Sequence, residues 1–208
     1  MLAIEVVSDV VCPFCLIGTR RLAQALASTG VQADVTFHPF LLDPTVPPEG
    51  VDLRERLRRK YGGDPDRMFG RVEASARESG IPLDFSKVKK TFDTTAAHTL
   101  IRRAKDKGTQ VAFAGELFDA YFLRGEDIGD RAVLARLAAA HGFTEDEALA
   151  LLDDEAERET TRELAAEAAA EGIQGVPFFV FDGRFAVSGA QPLEVFEQAI
   201  RKALEPAT

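Results

Sequence analysis

The segment SDVVCPFCLIG, residues 8–18, contains both cysteines of this 208-residue chain, Cys12 and Cys15. A disulfide between positions three residues apart closes so small a loop that it hardly restrains the unfolded chain. The pair is therefore poorly explained as a structural cross-link. The spacing indicates instead that the cysteines take part in a chemical reaction. The sequence on either side predicts the fold in which they lie.

The sequence around the cysteines predicts a strand, a helix and a second strand. Residues 2–8 (LAIEVVS) are rich in Ile and Val and are typical of a buried strand. Pro13 suits the first position of a helix because its φ is fixed and it lacks an N–H, and Gly30 suits the helix end. Residues 31–38 (VQADVTFH) alternate in polarity like a strand. The cysteines thus lie where the first strand of a βαβ unit meets its helix.

The middle of the chain shows helical patterns only. Residues 39–50 contain four prolines and one glycine, a composition typical of a connection. Residues 52–172 carry successive helical patterns, and the last is a long stretch that ends in AAEAAAEG. Glycines at the ends of these patterns are candidate C-caps: Gly80, Gly108, Gly125, Gly142 and Gly172.

Two short strand patterns and a helical pattern complete the chain. FFVFD (178–182) and RFAVS (184–188) are joined through Asp182-Gly183, a dipeptide that favours a tight hairpin. The helical pattern PLEVFEQAIRKAL follows, with Pro192 near its start. The C-terminal end of the chain is therefore predicted as ββα.

Strand-rich ends flank an all-helical middle. We expect residues 1–45 and 174–208 to form one α/β domain that contains the sheet. Residues 46–173 should form an inserted helical domain that lies beside Cys12. The length of the chain suits this division, because 208 residues can bury a core without help from disulfides or metal.

The composition argues against several classes of partner. The net charge of −9 predicts neither nucleic acid nor an anionic membrane surface as a partner. No run of about 18 apolar residues predicts a transmembrane helix. The N-terminus MLAIEVVSDVV lacks the positive region of a secretory signal. We therefore expect a cytoplasmic protein, in which a lone Cys-x-x-Cys pair is reduced and is either catalytic or metal-binding.

Cys12 and Cys15 have different expected roles. Cys12 would cap the helix, where unpaired backbone N–H groups and the positive end of the helix dipole favour a thiolate. Cys15 lies one turn later on the same face, where the helix covers it. We expect an exposed Cys12 that attacks a disulfide and a buried Cys15 that resolves the mixed disulfide. Asp9 either tunes these thiols or ends the first strand.

The spacing of the cysteines alone is also compatible with three different roles. They could form half of a zinc site shared between subunits, although His38, His98 and His141 show no paired ligand spacing. One cysteine could be a nucleophile served by a histidine base, which leaves the second cysteine unexplained. Both could be inert, since free cysteines are often simply buried. We favour the dithiol and expect no metal.

Five stretches of the sequence resemble the FrnE-like branch of the DsbA family of thiol-disulfide oxidoreductases. They follow the family order and cover most of the chain: VVSDVVCPFCLIGTRRL, PFLLDP, TTAAHTLIRRA, ELFDAYFLRGEDIGD and GIQGVPFFVFDGRFAVSGAQP. Asp93 departs from the pattern, which usually has Asn there. The resemblance implies a thioredoxin-like α/β fold with a large all-helical insertion.

The resemblance also implies a peptide-binding site beside the cysteines. In this fold a cis-proline faces the Cys-x-x-Cys pair, and Pro177 in GVPFF holds that position. Val176 would offer its backbone N–H and C=O to an extended peptide. Pro13 and Phe14 would form the lip of the site, where apolar Phe14 suits an unfolded peptide. The helix of His98 is expected nearby, so His98 is either a substrate contact or a core histidine.

The function implied by the resemblance is that of a thiol-disulfide oxidoreductase or disulfide isomerase with Cys12 and Cys15 as its redox-active centre. Its substrates would be protein or peptide disulfides, and it would need no metal or organic cofactor. A small thiol such as glutathione, or a thioredoxin-type reductant, would regenerate the dithiol. Phe14 replaces the histidine found between the cysteines of DsbA, so we expect a less oxidising pair, at about −180 to −270 mV.

Three other functions compete with this one. A glutathione-dependent isomerase of the 2-hydroxychromene-2-carboxylate type shares the fold but carries serine at the position of Cys12. FrnE is linked to polyketide biosynthesis, so a small-molecule isomerase of that pathway is the second alternative. A chaperone-like peptide-binding module would need no thiol, and replacing Cys12 by serine would separate it from a dithiol enzyme.

Overall fold

Strand and helix alternate at both ends of the chain, and helices fill most of the middle. The computed structural model describes residues 1–47 and 49–206. The strands within those ranges are β1 (Leu2–Ser8), β2 (Ala33–Pro39), β3 (Val51–Asp52), β4 (Lys90–Thr91), β5 (Phe178–Phe181) and β6 (Phe185–Ser188). The helices are α1 (Pro13–Thr29), α2 (Leu53–Tyr61), α3 (Pro65–Glu78), α4 (Thr95–Ala104), α5 (Gln110–Phe122), α6 (Arg131–Ala139), α7 (Glu145–Asp153), α8 (Glu155–Ala170) and α9 (Leu193–Leu204).

Both ends of the chain contribute strands to one sheet. Its order is β2-β1-β5-β6, with β1 and β2 parallel and the other neighbours antiparallel. β1 pairs Ile4 with Val35 on one side and with Phe181 on the other. The predicted fold class, a mixed α/β fold with a large helical insertion, is confirmed. The domain boundaries at residues 45 and 174 stay a prediction.

Alternate side chains of β1 and β5 are buried and form the core beneath the cysteines. Leu2, Ile4 and Val6 of β1 are buried, as are Phe179 and Phe181 of β5. Helix α9 packs along α1. Its Phe196 meets the ring of Phe179 edge-on, with centroids 4.9 Å apart. On the other side of the molecule α4, α5 and α8 contact β2. The sheet is therefore held between the terminal helices and the inserted ones.

The hairpin between β5 and β6 forms at the predicted dipeptide. Asp182 and Gly183 both have positive φ, at 54° and 64°. That conformation matches the twist of the flanking strands and is accessible to Asp and Gly at little cost. The Asp182 carboxylate also accepts a hydrogen bond from the backbone N–H of Ala3, at 3.1 Å. The turn thus ties the C-terminal hairpin to the start of β1.

The expectation of helix throughout residues 52–172 is wrong for residues 81–94. This segment contains no helix, and its Lys90–Thr91 pairs with Val51–Asp52 in a small antiparallel ladder. Ile81, Leu83 and Phe85 are all buried, so apolar residues recur here with the period of an extended chain. The Tyr121 hydroxyl donates to the Lys90 carbonyl at 2.8 Å and fixes the ladder to α5.

The long stretch that ends in AAEAAAEG forms two helices. Asp154 separates α7 from α8 with extended backbone angles. Its side chain accepts hydrogen bonds from the N–H groups of Ala156 and Glu157, at 2.9 and 3.2 Å. This is an N-cap, which favours a new helix start over continuation of the old helix. Across the described residues, we find no helix with both the length and the apolar character to cross a membrane.

Candidate active site

The cysteines lie at the start of α1, immediately after the central strand β1. Cys12 is the N-cap residue, with φ −90° and ψ 114°, and Pro13 occupies the first helical turn. The N–H of Cys15 donates to the carbonyl of Cys12 at 3.0 Å. The two side chains are therefore separated by one tight turn of backbone, and both belong to free thiols.

Both cysteines are buried, which corrects the expectation of an exposed Cys12. Cys12 is 4% exposed and Cys15 is 0% exposed. The reason is the loop that precedes β5, because the Cys12 thiol lies 3.6 Å from the carbonyl oxygen of Val176 and donates to it. Phe14 is 45% exposed and forms the apolar lip of the site. The loop therefore covers most of the Cys12 side chain.

The loop opposite the cysteines contains the Val176–Pro177 peptide bond, which is cis, the isomer that the family resemblance implies. Pro177 is buried and Val176 is half-buried. Gly18 of α1 makes this approach possible. A Cβ at that position would lie 2.9 Å from Cγ of Pro177 and 3.0 Å from Cζ of Phe179.

The electrostatic environment of Cys15 disfavours its thiolate. Burial is the largest cause of a pKa well above the ordinary value of 9.0, and the adjacent Cys12 raises that pKa further. The backbone N–H of Asp9 lowers it, while the charge of the Asp9 carboxylate raises it. Cys15 is thus held as a neutral thiol in the dithiol state.

Asp9 and His98 form a buried pair beneath the cysteines. Asp9 is 1% exposed and His98 is 3% exposed. Nε2 of His98 lies 3.4 Å from Oδ1 of Asp9. Oδ2 of Asp9 accepts a hydrogen bond from the backbone N–H of Leu42, at 2.8 Å. Of the two roles expected for His98, its burial favours the core histidine over the direct substrate contact.

The structure brings together Cys12, Cys15, Val176 and Pro177, with Pro13 and Phe14 at the rim. Two contributors escape prediction from the sequence. Gly18 could have been found as a small residue one turn after Cys15 on the same face of α1. The contact of Leu42 with Asp9 leaves no trace in the sequence, since it depends on the path of a loop. Within the part of the chain that is described, His, Cys, Asp and Glu form no group of three that could hold a metal ion.

Residues 3–201 match the family model of the DSBA-like thioredoxin domain. The uncharacterized protein YwbO of Bacillus subtilis (strain 168) is 27% identical to this chain over 201 residues. The match spans 95% of this chain and 94% of YwbO. Family membership therefore covers nearly the whole chain, including the helical insertion.

Two solved structures share the architecture. The probable DsbA oxidoreductase SCO1869 from Streptomyces coelicolor superposes with a TM-score of 0.88 at 30% identity, over 100% of this chain and 93% of that one. The cytosolic disulfide reductase DsbM from Pseudomonas aeruginosa, solved with GSH, has a TM-score of 0.69 at 20% identity, over 97% and 98% of the two chains. The second likeness shows the fold alone. The chain belongs to the DSBA-like thioredoxin domain family, whose oxidoreductase fold it shares from the central sheet to the inserted helices.

Proposed function

We propose that this protein is a cytoplasmic thiol-disulfide oxidoreductase that reduces or isomerises protein and peptide disulfides with the Cys12–Cys15 dithiol. One observation carries the proposal: the two free thiols lie one helical turn apart, beneath the Val176 carbonyl. Such a pair can close to a disulfide with little movement of the backbone. The half-buried backbone of Val176 beside Cys12 suits an extended peptide that binds as an added strand.

The reaction needs two exchange steps. The Cys12 thiolate attacks one sulfur of a substrate disulfide, and the other substrate sulfur leaves as a thiolate. Cys15 then loses its proton and attacks Cys12, which breaks the mixed disulfide and releases the second substrate thiolate. Two electrons pass from the dithiol to the substrate, and the two thiolates released take up protons. Two molecules of a small thiol reduce the Cys12–Cys15 disulfide again.

We infer the direction of the reaction and its cellular setting from Phe14, one of the two residues between the cysteines. Phe14 offers neither charge nor an N–H donor to the Cys12 thiolate, which leaves the helix terminus as its main stabilising group. A potential of about −180 to −270 mV follows, between those of protein disulfide isomerase and thioredoxin. That range suits a reductase or isomerase in the cytosol, and the likeness to DsbM, a cytosolic disulfide reductase solved with GSH, favours glutathione as the reductant. We place the chain in the FrnE-like branch on the strength of its motifs.

Insulin reduction in glutathione buffer tests the proposal. The wild-type protein should accelerate cleavage of the insulin disulfides, Cys12→Ser should abolish this activity, and Cys15→Ser should trap a mixed disulfide on Cys12 that mass spectrometry detects. Ser8→Ala, a change in the same segment that leaves both thiols, should keep the activity. Suppression of substrate aggregation that survives Cys12→Ser without any reductase activity would instead indicate a chaperone-like module. A glutathione-dependent isomerisation that survives Cys15→Ser would indicate the small-molecule isomerase.

A further inference from the structure

Positive and negative charges are unevenly distributed along the chain. Residues 54–90 contain 11 of the 25 lysines and arginines but 6 of the 34 acidic residues, which gives this segment a net charge of +5. The other 14 cations and 28 acidic residues leave the rest of the chain at −14. The segment spans all of α3 and nearly all of α2. A basic surface on an otherwise acidic protein attracts negatively charged partners.

Helix α2 is strongly basic but contributes little to the core. It contains five lysines and arginines and one acidic residue, and none of its residues is buried. Its N-cap Asp52 and an ion pair between Arg59 and Glu55 stabilise it locally. Helices held by packing against their own domain bury an apolar face. The packing of this chain therefore leaves most of the cations of α2 unexplained.

Arginines follow one another at intervals of four residues on both α2 and α3. Arg54 and Arg58 have this spacing on α2, and Arg67 and Arg71 have it on α3. The guanidinium of Arg54 lies 5.0 Å from the centre of the Phe69 ring of α3, so the two helices adjoin there. We call the four arginines the basic face. All but Arg54 are exposed and make no ion pair with any of the described residues.

Helix α8 carries the opposite charge at the same spacing. Glu159, Glu163 and Glu167 are exposed, follow one another at intervals of four residues and lie opposite the buried residues of the helix. We call them the acidic row. Glu159 pairs with Arg162 at 2.6 Å, whereas Glu163 and Glu167 make no ion pair in the described part of the chain. Like charges at this spacing repel one another, which destabilises the helix slightly unless a cation lies opposite.

We propose that the acidic row of one molecule binds the basic face of a second copy of the chain. Both faces repeat about every 6 Å along their helices, so their charges can be matched in register. The contact would also relieve the repulsion within each row. Because the two faces are different patches of one chain, a two-fold axis makes the contact twice and closes it into a dimer.

The overall charge of the protein sets the conditions under which the contact forms. Each copy carries a net charge of −9, so two copies repel one another at long range. At an ionic strength of about 0.1 M the Debye length is about 10 Å, which weakens repulsion between distant charges more than attraction between charges in contact. At about 1 M it is about 3 Å, and the contact itself is then screened.

Sedimentation velocity over a concentration series, with a reductant present to prevent intermolecular disulfides, tests the proposal. The wild-type protein should self-associate at about 0.1 M NaCl with a Kd below about 100 μM. The Kd should rise at least about tenfold at about 1 M NaCl. Reversing two charges should have an effect of the same size, because each exposed ion pair contributes a factor of up to about five. The two reversal variants are Arg67→Glu with Arg71→Glu, and Glu163→Lys with Glu167→Lys.

A mixture of the two reversal variants makes the sharpest test. Each variant alone has lost one of the complementary faces, but the acidic row of the first still matches the basic face of the second. The two reversed faces also match each other, so the equimolar mixture should associate about as strongly as the wild-type protein. Arg201→Glu with Lys202→Glu is the control, because it changes the net charge as much as the basic-face variant does, at exposed positions of α9. It should change the Kd less than about twofold.

Several results would overturn the inference. One is a wild-type protein that stays monomeric at about 100 μM and about 0.1 M NaCl. Another is a mixture of the reversal variants that does not associate, or a control that loses as much affinity as the basic-face variant. Binding of RNA by a monomeric wild-type protein, lost in the basic-face variant, would assign that face to a nucleic acid instead. If a reversal variant does not fold by circular dichroism, Arg67→Gln with Arg71→Gln replaces it and should still weaken self-association.

Discussion

The fold changes the acid–base behaviour of the Cys15 thiol. Its sulfur is removed from water, and burial is the main reason that its pKa lies above the ordinary value of 9.0. An unfolded chain would let the same thiol ionise near that value. The folded state therefore holds a proton that the unfolded state releases in alkaline solution, and this difference links stability to pH.

We predict that the dithiol form loses stability as the pH rises above 9.0, the ordinary value for Cys15. Below that pH the Cys15 thiol keeps its proton in both the folded and the unfolded state, so its contribution to stability is fully present. Above it the free energy of unfolding falls by up to about 1.4 kcal/mol per pH unit until the folded thiol also ionises. Urea denaturation at pH 7 to 10.5, compared with Cys15→Ser, measures the effect. Equal slopes for the two proteins would show that burial does not hold the Cys15 proton.

At the scale of residues, the sequence predicts which side chains carry the chemistry better than it predicts how deeply they are buried. The placement of the two thiols follows from their spacing and from helix capping, which act locally, whereas the cis Val176–Pro177 bond is expected only from the family resemblance. The burial of Cys12 does not follow, since the Val176 carbonyl that covers it is 164 positions away in the chain. The pairing of Asp9 with His98 is hidden for the same reason, as these residues are 89 positions apart.

Among the elements, α1 depends on a glycine for its contact with the loop before β5. Gly18→Ala should destabilise the protein by about 1–3 kcal/mol, because the new methyl group would overlap Pro177 and Phe179. It should also lower reductase activity by shifting the loop that lies over Cys12. Urea denaturation and insulin turnover measure the two effects.

Gly70→Ala in α3 is the matched control for Gly18→Ala. Both glycines are helical, but a Cβ at Gly70 would meet nothing within 4 Å. Alanine there should stabilise the helix by up to about 1 kcal/mol and leave activity unchanged. If the two substitutions had the same effect, close packing at Gly18 would not explain its presence.

The elements with strong local sequence signals are the ones that the sequence predicts well. β1, α1 and the Asp182-Gly183 hairpin carry their own signals of period, N-terminal proline and turn residues. Residues 81–94 carry a weaker signal, because their two-residue strand pairs only with another two-residue strand. The break at Asp154 has the weak signal of an N-cap residue inside a helical pattern, where capping competes with helix propensity.

For the molecule as a whole, one buried arginine joins α1 and the segment before α9 to the C-terminal end of α3 in the insertion. Arg21 of α1 is 7% exposed. It donates to the Ser79 hydroxyl after α3 at 2.8 Å, and to the carbonyls of Ala190 and Gln191 before α9 at 2.8 and 3.2 Å. Three parts of the fold therefore share one guanidinium group.

We predict that Arg21→Lys lowers the free energy of unfolding by about 2–4 kcal/mol, since an ammonium group cannot reach all these acceptors and leaves some buried without a partner. Urea denaturation gives the value. Arg20→Lys provides the control, because Arg20 makes an ion pair with Asp119 at 2.6 Å with 44% of its side chain exposed. That change should cost less than about 1 kcal/mol. Similar losses for both variants would contradict the role given to Arg21.

The architecture of the whole molecule is predictable because both ends of the chain show strands while the middle does not. Strands from the two ends of the chain can satisfy their backbone hydrogen-bonding groups by pairing in one sheet, and β1 does so with β5. The way in which the insertion is held is not predictable. Arg21 lies in an ordinary helical pattern, and its partners at residues 75–79 and 190–191 are scattered along the chain.

The recessed position of Cys12 also bears on how the protein withstands hydrogen peroxide. Oxidation of a thiol by peroxide depends on its exposure, and only 4% of Cys12 is open to solvent. When Cys12 does become a sulfenic acid, Cys15 is near enough to condense with it, expelling water and forming a disulfide. Peroxide would thus convert the pair to a state that small thiols can reverse, before the irreversible sulfinic and sulfonic acids form.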